Sequence, residues 1–145
     1  MVPTHGNLES ALSQMSWRFE PGTFALLGFL APPSVADLEL LSVPPAQIVT
    51  EAEQTTLLIP SDRVEEALRR HPEAEVEGDL IWVRFDAPMS WDVVGFLALV
   101  TGHFAAAGIP IGAVCGFRRD HLFLARRHQE RARAVLTKVL ACDPE

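Results

Sequence analysis

The sequence predicts an α+β fold in which one module occurs twice. Apolar, β-branched runs alternate with short helical patterns, and the order β α β β α (β) is followed by β α β β α. A repeat of about sixty residues is too long for a solenoid unit, which favours a duplicated module. No linker rich in Gly, Ser or Pro separates the halves, at 20–77 and 78–142. We therefore expect the two modules to pack side by side into one compact body.

Turn residues mark the elements of the first half. We predict strands at 23–30, 47–50 and 55–59, an edge strand at 73–77, helices at 34–41 and from 61 to 70, and a short helix or loose arm at 7–15. Ser34 and Ser61 are the expected N-caps, because a hydroxyl can accept from the free N–H groups of a helix start. Gly78 is expected to turn the chain between the edge strand and the next strand, 80–85.

The second half is organised around the stretch from Ser90 to Leu124. Apolar residues at helical spacing predict a helix from Val93 to Ala107, with Ser90 or Asp92 as its N-cap. We predict that Gly108 ends this helix, a strand covers 109–117, Arg118-Arg119 makes a turn, 121–124 returns as a strand, and 126–140 forms the last helix.

Composition limits the class of protein. The 145 residues are 48% hydrophobic and 21% charged, which indicates a globular chain of one ordinary domain or two small ones. A formal net charge of −7 argues against a nucleic-acid partner or an anionic membrane surface. Cys115 and Cys142 make no disulfide framework, so a reducing, cytoplasmic location is expected. Residues 1–15 lack the pattern of a signal peptide, and no apolar run is long enough to span a membrane.

Catalytic patterns find little support. His103 lies on an apolar helix, where a hydrogen-bonded core or interface histidine is the usual reading. Cys115, His121 and His128 have neither CxxC nor HxxxH spacing, so no metal site is predicted. Cys115 would need a base directed at it, and the sequence leaves open whether His121 faces it. No phosphate-binding glycine loop occurs, so we predict a binding protein, not an enzyme, without a cofactor.

Three segments of the second half carry a resemblance to a known family. They are Gly95-Phe96, Ala107-Gly108-Ile109 and Cys115 to His121 (CGFRRDH). With them the chain resembles tandem ACT-domain proteins, in particular the small two-ACT proteins related to aspartate-kinase regulatory regions and to the cytosolic arginine sensor of the TOR pathway. The resemblance implies two ferredoxin-like βαββαβ modules that bind an amino acid. Thr50 to Thr56 resembles a weakened form of the corresponding first-module stretch.

Two departures from the family pattern bear on the ligand. Cys115-Gly116 stands where the pattern has Ser-Thr, which removes two hydroxyl groups. Val93 stands where the arginine sensor has an extra acidic residue. A cationic ligand side chain would find less compensation here, so arginine is disfavoured as the ligand.

The resemblance implies a ligand held between the two modules. The expected ligand-binding residues are Thr55, Thr56, Trp91, Asp92, Val93, Val94, Gly95, Phe117 and Asp120. A helix start suits a carboxylate, and Asp92 is available for an ammonium group. The alternatives are helix capping for Asp92, packing or turn formation for Phe117 and Asp120, and strand propensity for the threonines.

Two further features have structural alternatives. Arg118-Arg119 could clamp a carboxylate, although a solvated hairpin tip is the commoner role of such a pair. Trp82 and Trp91 could wall a pocket, although a half-buried tryptophan usually belongs to a core.

The sequence therefore predicts an allosteric sensor for an amino acid or a similar small ligand, acting as a homodimer or on a regulated protein partner. The alternative is a ligand-free module for dimerisation or protein interaction.

Overall fold

The computed structural model describes residues 6–140. The helices are α1 (Leu8–Gln14), α2 (Val35–Glu39), α3 (Val64–Arg70), α4 (Phe96–Ala106) and α5 (Gln129–Leu140). The strands are β1 (Trp17–Phe19), β2 (Phe24–Phe29), β3 (Gln47–Thr50), β4 (Thr55–Pro60), β5 (Glu75–Phe85), β6 (Gly112–Cys115) and β7 (Asp120–Ala125). The fold is α+β, as predicted. No helix within residues 6–140 is long and apolar enough to cross a membrane.

The chain forms two compact units. The central unit is Pro21–Leu80, and the flanking unit contains the described residues up to Glu20 and from Ile81 onward. The predicted module boundaries, 20–77 and 78–142, stay a prediction. Residues 141–142, and with them Cys142, lie outside the described part of the chain.

The central unit has an antiparallel sheet in the order β3-β4-β2, joined at β2 by the first part of β5. β2 and β4 pair from Phe24 opposite Pro60 to Phe29 opposite Thr55. Successive side chains of a strand point to opposite faces, so every second residue enters the core. The core is Ala25, Leu27, Phe29, Leu40, Leu57, Ile59 and Ala67.

The flanking unit is built on the second part of β5. β1 pairs antiparallel with it, from Trp17 opposite Phe85 to Phe19 opposite Val83. β7 lies between β5 and β6, and β6 and β7 form an antiparallel hairpin. Its core is larger and draws on all three helices of the unit, with buried members Ala11, Met15, Trp17, Ile81, Val83, Phe85, Met89, Phe96, Val100, Phe104, Ile109, Leu122, Leu124, Ala132, Leu136 and Leu140.

Several predicted boundaries are wrong. The edge strand at 73–77 and the strand at 80–85 are one strand, β5, which continues through Gly78 and through Asp79 at φ 54°. β1 was not predicted. β6 is shorter than 109–117. The Ser61 side chain does not cap α3. Ser61 begins a 3₁₀ turn, Ser61–Arg63, and its hydroxyl accepts a hydrogen bond from the Thr23 hydroxyl.

Other local predictions are confirmed. Asn7 caps α1 through its side chain, so the arm at 7–15 is a helix. Ser34 caps α2. Gly108 follows α4 in the left-handed conformation, at φ 67°.

A buried carboxylate fixes α2 in the central unit. Asp37 is 0% exposed, and its oxygens accept from the Ser34 backbone N–H (2.8 Å) and the Ser34 hydroxyl (3.0 Å). The His71 ring nitrogen Nε2 lies 2.8 Å from the second oxygen, and the His71 ring stacks on Phe29 with centroids 3.7 Å apart. Burial alone raises the pKa of Asp37, but the hydrogen bonds from Ser34 and His71 outweigh it and hold the pKa below its usual value.

We expect His71→Ala to lower the free energy of unfolding by about 1–3 kcal/mol, because it leaves one buried Asp37 oxygen without its partner. Urea unfolding followed by circular dichroism measures the loss. Arg69→Ala is the matched control, since it removes an exposed ion pair with Glu65 and should cost less than about 0.5 kcal/mol. Equal losses in both variants would contradict the role given to His71.

Asp37 also makes stability depend on pH. Its folded pKa is lowered, so its contribution is present above the unfolded pKa of about 3.9 and is lost as pH falls through the folded value. We expect Asp37→Asn to destabilise the protein at pH 7, and the gap from the parent chain to narrow toward pH 3. Urea unfolding of both chains at a series of pH values measures the gap, and a constant gap would contradict this assignment.

Candidate functional site

A cavity of about 300 Å³ lies within the flanking unit. It is bounded by the segment that leads into α4 and by the turn between β6 and β7. Its lining residues are Met89, Ser90, Trp91, Val93, Gly95, Phe96, Leu97, Ala98, Cys115, Gly116, Phe117, Arg118, Arg119 and Asp120. The volume is at the lower end of the range for small-molecule sites, which suits a ligand the size of one amino acid.

Backbone hydrogen bonds fix the two walls of the cavity. The Gly116 N–H donates to the Arg119 carbonyl (2.9 Å) and closes the turn, so the predicted turn at Arg118-Arg119 is confirmed. The Met89 N–H donates to the Arg118 carbonyl (2.8 Å), and Arg119 Nε donates to the Asp86 carbonyl (3.0 Å). The turn and the segment before α4 are therefore held against each other, and the space between them is preformed.

The amino end of α4 opens into this cavity. The helix begins at Phe96, after Gly95 at φ 97°, and no side chain caps it. Phe96, Leu97 and Ala98 line the cavity, and the first N–H groups of a helix have no partner within it. The helix start is thus a site of partial positive charge that faces an open volume.

The predicted capping of this helix is wrong. Ser90 and Asp92 precede the helix start by too many residues, and the Ser90 hydroxyl instead accepts the Asp92 N–H (3.2 Å). The Val93 N–H donates to the Ser90 carbonyl, so 90–93 is a turn. Only glycine takes the left-handed conformation at position 95 without strain, and this conformation leaves the helix start uncovered.

Aromatic side chains flank the opening. Trp91 is 85% exposed and Phe117 is 90% exposed, and they belong to the two segments that line the cavity. Met89 and Phe96 are buried and form the apolar floor. Large aromatic side chains usually bury most of their surface, so this exposure marks the opening as unsatisfied apolar surface.

Among the described residues that line the cavity, Asp120 is the one acidic residue. Burial raises the pKa of its carboxyl above the usual value. Two arginines, Arg118 and Arg119, also line the cavity, and the Arg118 guanidinium lies 5.7 Å from the centroid of the Phe117 ring. The cavity therefore combines one desolvated carboxyl, a helix amino end and two cations.

The structure separates the residues predicted for the site. Trp91, Val93, Gly95, Phe117 and Asp120 line the cavity. Asp92 and Val94 are exposed and outside its lining. Thr55 and Thr56 belong to the central unit, where the buried Thr55 hydroxyl donates to the Ala31 carbonyl (2.9 Å).

Thr56 lines a second cavity, of about 240 Å³, within the central unit. Gln54, Glu75 and Glu77 supply its polar groups. A part for Thr55, Thr56, Asp92 and Val94 in ligand binding stays a prediction.

Sequence reasoning missed several lining residues. Met89, Leu97 and Ala98 carry no signal of their own, because apolar residues before and within a helix are usual core residues. Cys115 was weighed as a nucleophile and as a metal ligand. The family resemblance over Cys115 to His121 was the signal that pointed to this turn.

The structure answers the open question about Cys115 and His121. Cys115 pairs with Asp120 and Val114 pairs with His121, so the two side chains point to opposite faces of the hairpin. His121 packs edge-on against Trp82, and its Nδ1 is buried without a hydrogen-bond partner in the described structure. Burial, then the charges of Arg84 and Arg119, lower the pKa of His121. Residues 6–140 contain no group of three or more His, Cys, Asp or Glu side chains placed to hold a metal ion.

We expect Asp120→Asn to stabilise the ligand-free protein slightly at neutral pH. The raised pKa means that the folded state favours the protonated carboxyl, so the stabilising contribution is full below the unfolded pKa of about 3.9 and is lost as pH rises through the folded pKa. Chemical unfolding of both chains at pH 7 and pH 3 measures the effect. The gain should be present at pH 7 and absent at pH 3, and a loss of stability at pH 7 would contradict it.

Comparisons with known proteins place the fold. No protein-family profile matches the sequence, and no curated protein matches it. The Agrobacterium tumefaciens protein Atu0741 is 17% identical at a TM-score of 0.73, with 86% of this chain and 88% of that one covered. The Vibrio cholerae protein VC0802, of unknown function, is 19% identical at a TM-score of 0.67, with 89% and 92% covered.

The ligand-free regulatory subunit of aspartate kinase from Thermus thermophilus is also similar. It is 16% identical at a TM-score of 0.64, with 85% of this chain and 95% of that subunit covered. At these identities the comparisons establish the fold. The chain has the ACT-like, ferredoxin-like α+β fold of the regulatory domains of aspartate kinase.

Proposed function

We propose that this protein is a non-enzymatic regulator built of two ACT-like modules in tandem, and that it binds an amino acid or a similar small ligand in the cavity of the flanking unit. The observation that carries the proposal is the joint presence of an uncapped helix start and the Asp120 carboxyl in one preformed cavity. The likeness in fold to regulatory subunits of aspartate kinase supports it.

The two polar ends of the cavity suit an amino acid. The free N–H groups at Phe96, Leu97 and Ala98 would donate hydrogen bonds to the α-carboxylate. Asp120 would pair with the α-ammonium group, whose positive charge would favour the ionised carboxylate and oppose the effect of burial, which raises the pKa of Asp120. The ligand-binding residues of this proposal are Trp91, Val93, Gly95, Phe117 and Asp120.

Ligand would act by favouring one arrangement of the protein over another. Only a difference in affinity between two states can shift their equilibrium. The states would differ in dimerisation or in contact with a regulated protein partner, and a cytoplasmic location is part of the proposal. A relation to the arginine sensor of the TOR pathway, and the contributions of Thr55 and Thr56 from the other module, remain predictions.

The exposed side chains around the opening favour a second candidate. Trp91, Val94 and Phe117 are 85%, 83% and 90% exposed. A cluster of exposed apolar residues is typical of a protein interface. In this alternative the protein is a ligand-free interaction module and the cavity is part of its docking surface.

A thermal-shift screen of the twenty amino acids tests the proposal. A ligand at one hundred times its Kd adds about 2.7 kcal/mol to the free energy of unfolding, which raises Tm by several degrees. Asp120→Asn should abolish the shift, because the ammonium group loses its partner, whereas Glu53→Gln, at an exposed carboxylate outside the cavity, should keep it.

Absence of a shift with every amino acid would contradict ligand binding. If Trp91→Ala and Phe117→Ala then change the sedimentation coefficient or binding to a partner protein, the interaction module is the better description. A shift that survives in Asp120→Asn would place the ligand elsewhere in the protein.

A further inference from the structure

We infer that the cavity of the flanking unit selects an amino acid with an aromatic side chain. The inference rests on the proposed function and adds to it the chemical class of the ligand. It rests on two exposed aromatic side chains from the two segments of the lining, on the buried apolar residues beside them, and on a single carboxyl among the described lining residues.

The two aromatic walls are presented from different elements. Trp91 stands in the turn before α4, and Phe117 stands in the turn between β6 and β7. Both turns are fixed, since the Met89 N–H donates to the Arg118 carbonyl and the Gly116 N–H donates to the Arg119 carbonyl. A ring entering between these walls finds stacking or edge contacts without rearrangement of the backbone, and its burial covers surface that is otherwise in water.

The polar groups leave no carboxylate for a cationic side chain. Asp120 is the one acidic residue of the lining within residues 6–140, and the α-ammonium group of the ligand would use it. Asp92 lies outside the lining, and Val93 is apolar. A lysine or arginine side chain would bring its charge next to Arg118 and Arg119, where like charges repel.

The apolar lining also gives a small or polar ligand side chain little additional affinity. Met89, Val93, Phe96, Leu97 and Ala98 form the wall behind the opening. Bound alanine would leave this wall and the rings of Trp91 and Phe117 exposed to water. Its affinity would therefore come from its carboxylate and ammonium groups alone. An aromatic side chain adds contact with the wall and with both rings.

Trp91 itself reports on the site. The protein has three tryptophans, and Trp17 and Trp82 are 0% and 2% exposed while Trp91 is 85% exposed. Quenching of fluorescence by acrylamide therefore measures access to Trp91. We expect saturating L-phenylalanine, which does not absorb at the wavelengths that excite tryptophan, to reduce this quenching. L-arginine at the same concentration should leave the quenching unchanged.

Isothermal titration calorimetry measures the selectivity. We expect L-phenylalanine to bind at least about tenfold more tightly than L-alanine, and L-arginine and L-aspartate to bind more weakly than L-phenylalanine. Trp91→Ala and Phe117→Ala should each weaken L-phenylalanine about five- to tenfold and leave L-alanine nearly unchanged. Trp91→Phe should restore the affinity, and Leu30→Ala, at a 78% exposed apolar residue outside the lining, should not alter it.

The outcomes separate this inference from the proposed function. If L-arginine or L-aspartate binds more tightly than L-phenylalanine and Asp120→Asn removes this binding, the aromatic class is wrong, but the cavity is still an amino-acid site. Binding of L-phenylalanine that neither ring variant weakens would also overturn it. Binding of no amino acid would overturn both, and circular dichroism of each variant shows whether a loss of binding is only a loss of folding.

Discussion

The hydrogen bond from the Met89 amide to the Arg118 carbonyl is the contact on which the site depends. It joins the segment before α4 to the turn between β6 and β7, two stretches about thirty residues apart in the chain. The second link, from Arg119 Nε to the Asp86 carbonyl, holds the same two stretches together one step further along. The first link joins two backbone groups and does not depend on the side chains of the lining, whereas the second needs the Arg119 side chain, which is itself part of the lining. In the proposed site, Trp91 and Phe117 would determine which ligand binds.

The central unit contains the same local arrangement with a different residue at the start of the strand. β4 is followed by a 3₁₀ turn and α3 at the same spacing with which β7 is followed by a 3₁₀ turn and α5. Thr55 begins β4 as Asp120 begins β7, but the Thr55 hydroxyl donates to the Ala31 carbonyl and is fully buried. At the corresponding position Asp120 has a half-buried carboxyl that lines the cavity of the flanking unit.

The sequence predicted elements where one signal dominated. A near-continuous apolar run located β2, and β-branched residues located β4. A glycine after an apolar helix located the end of α4, and a serine located α2. It failed where local signals opposed the tertiary pairing. Gly78 and Asp79 read as a turn, yet β2 pairs with the residues on both sides of them, and that pairing carries β5 through a residue at positive φ. The three residues of β1 are too few for a periodic signal, and only their register against Val83 to Phe85 identifies them as a strand.

The sequence likewise predicted part of the candidate site and missed another part. Phe117 and Asp120 were predicted from a motif and do line the cavity, but the helix start was placed too early because Ser90 and Asp92 are good capping residues in general. The position of Ser90 and Asp92 away from the helix start supports the proposed binding site. A side-chain cap would satisfy the first N–H groups of α4 and fill the polar end of the cavity, whereas Gly95 begins the helix and leaves those groups open. An uncapped helix, a desolvated carboxyl and two exposed aromatic rings each cost stability, and they occur at one place. A ligand that supplies a carboxylate, an ammonium group and a ring would satisfy all three together, which is why the local departures from stable folding point to a binding site.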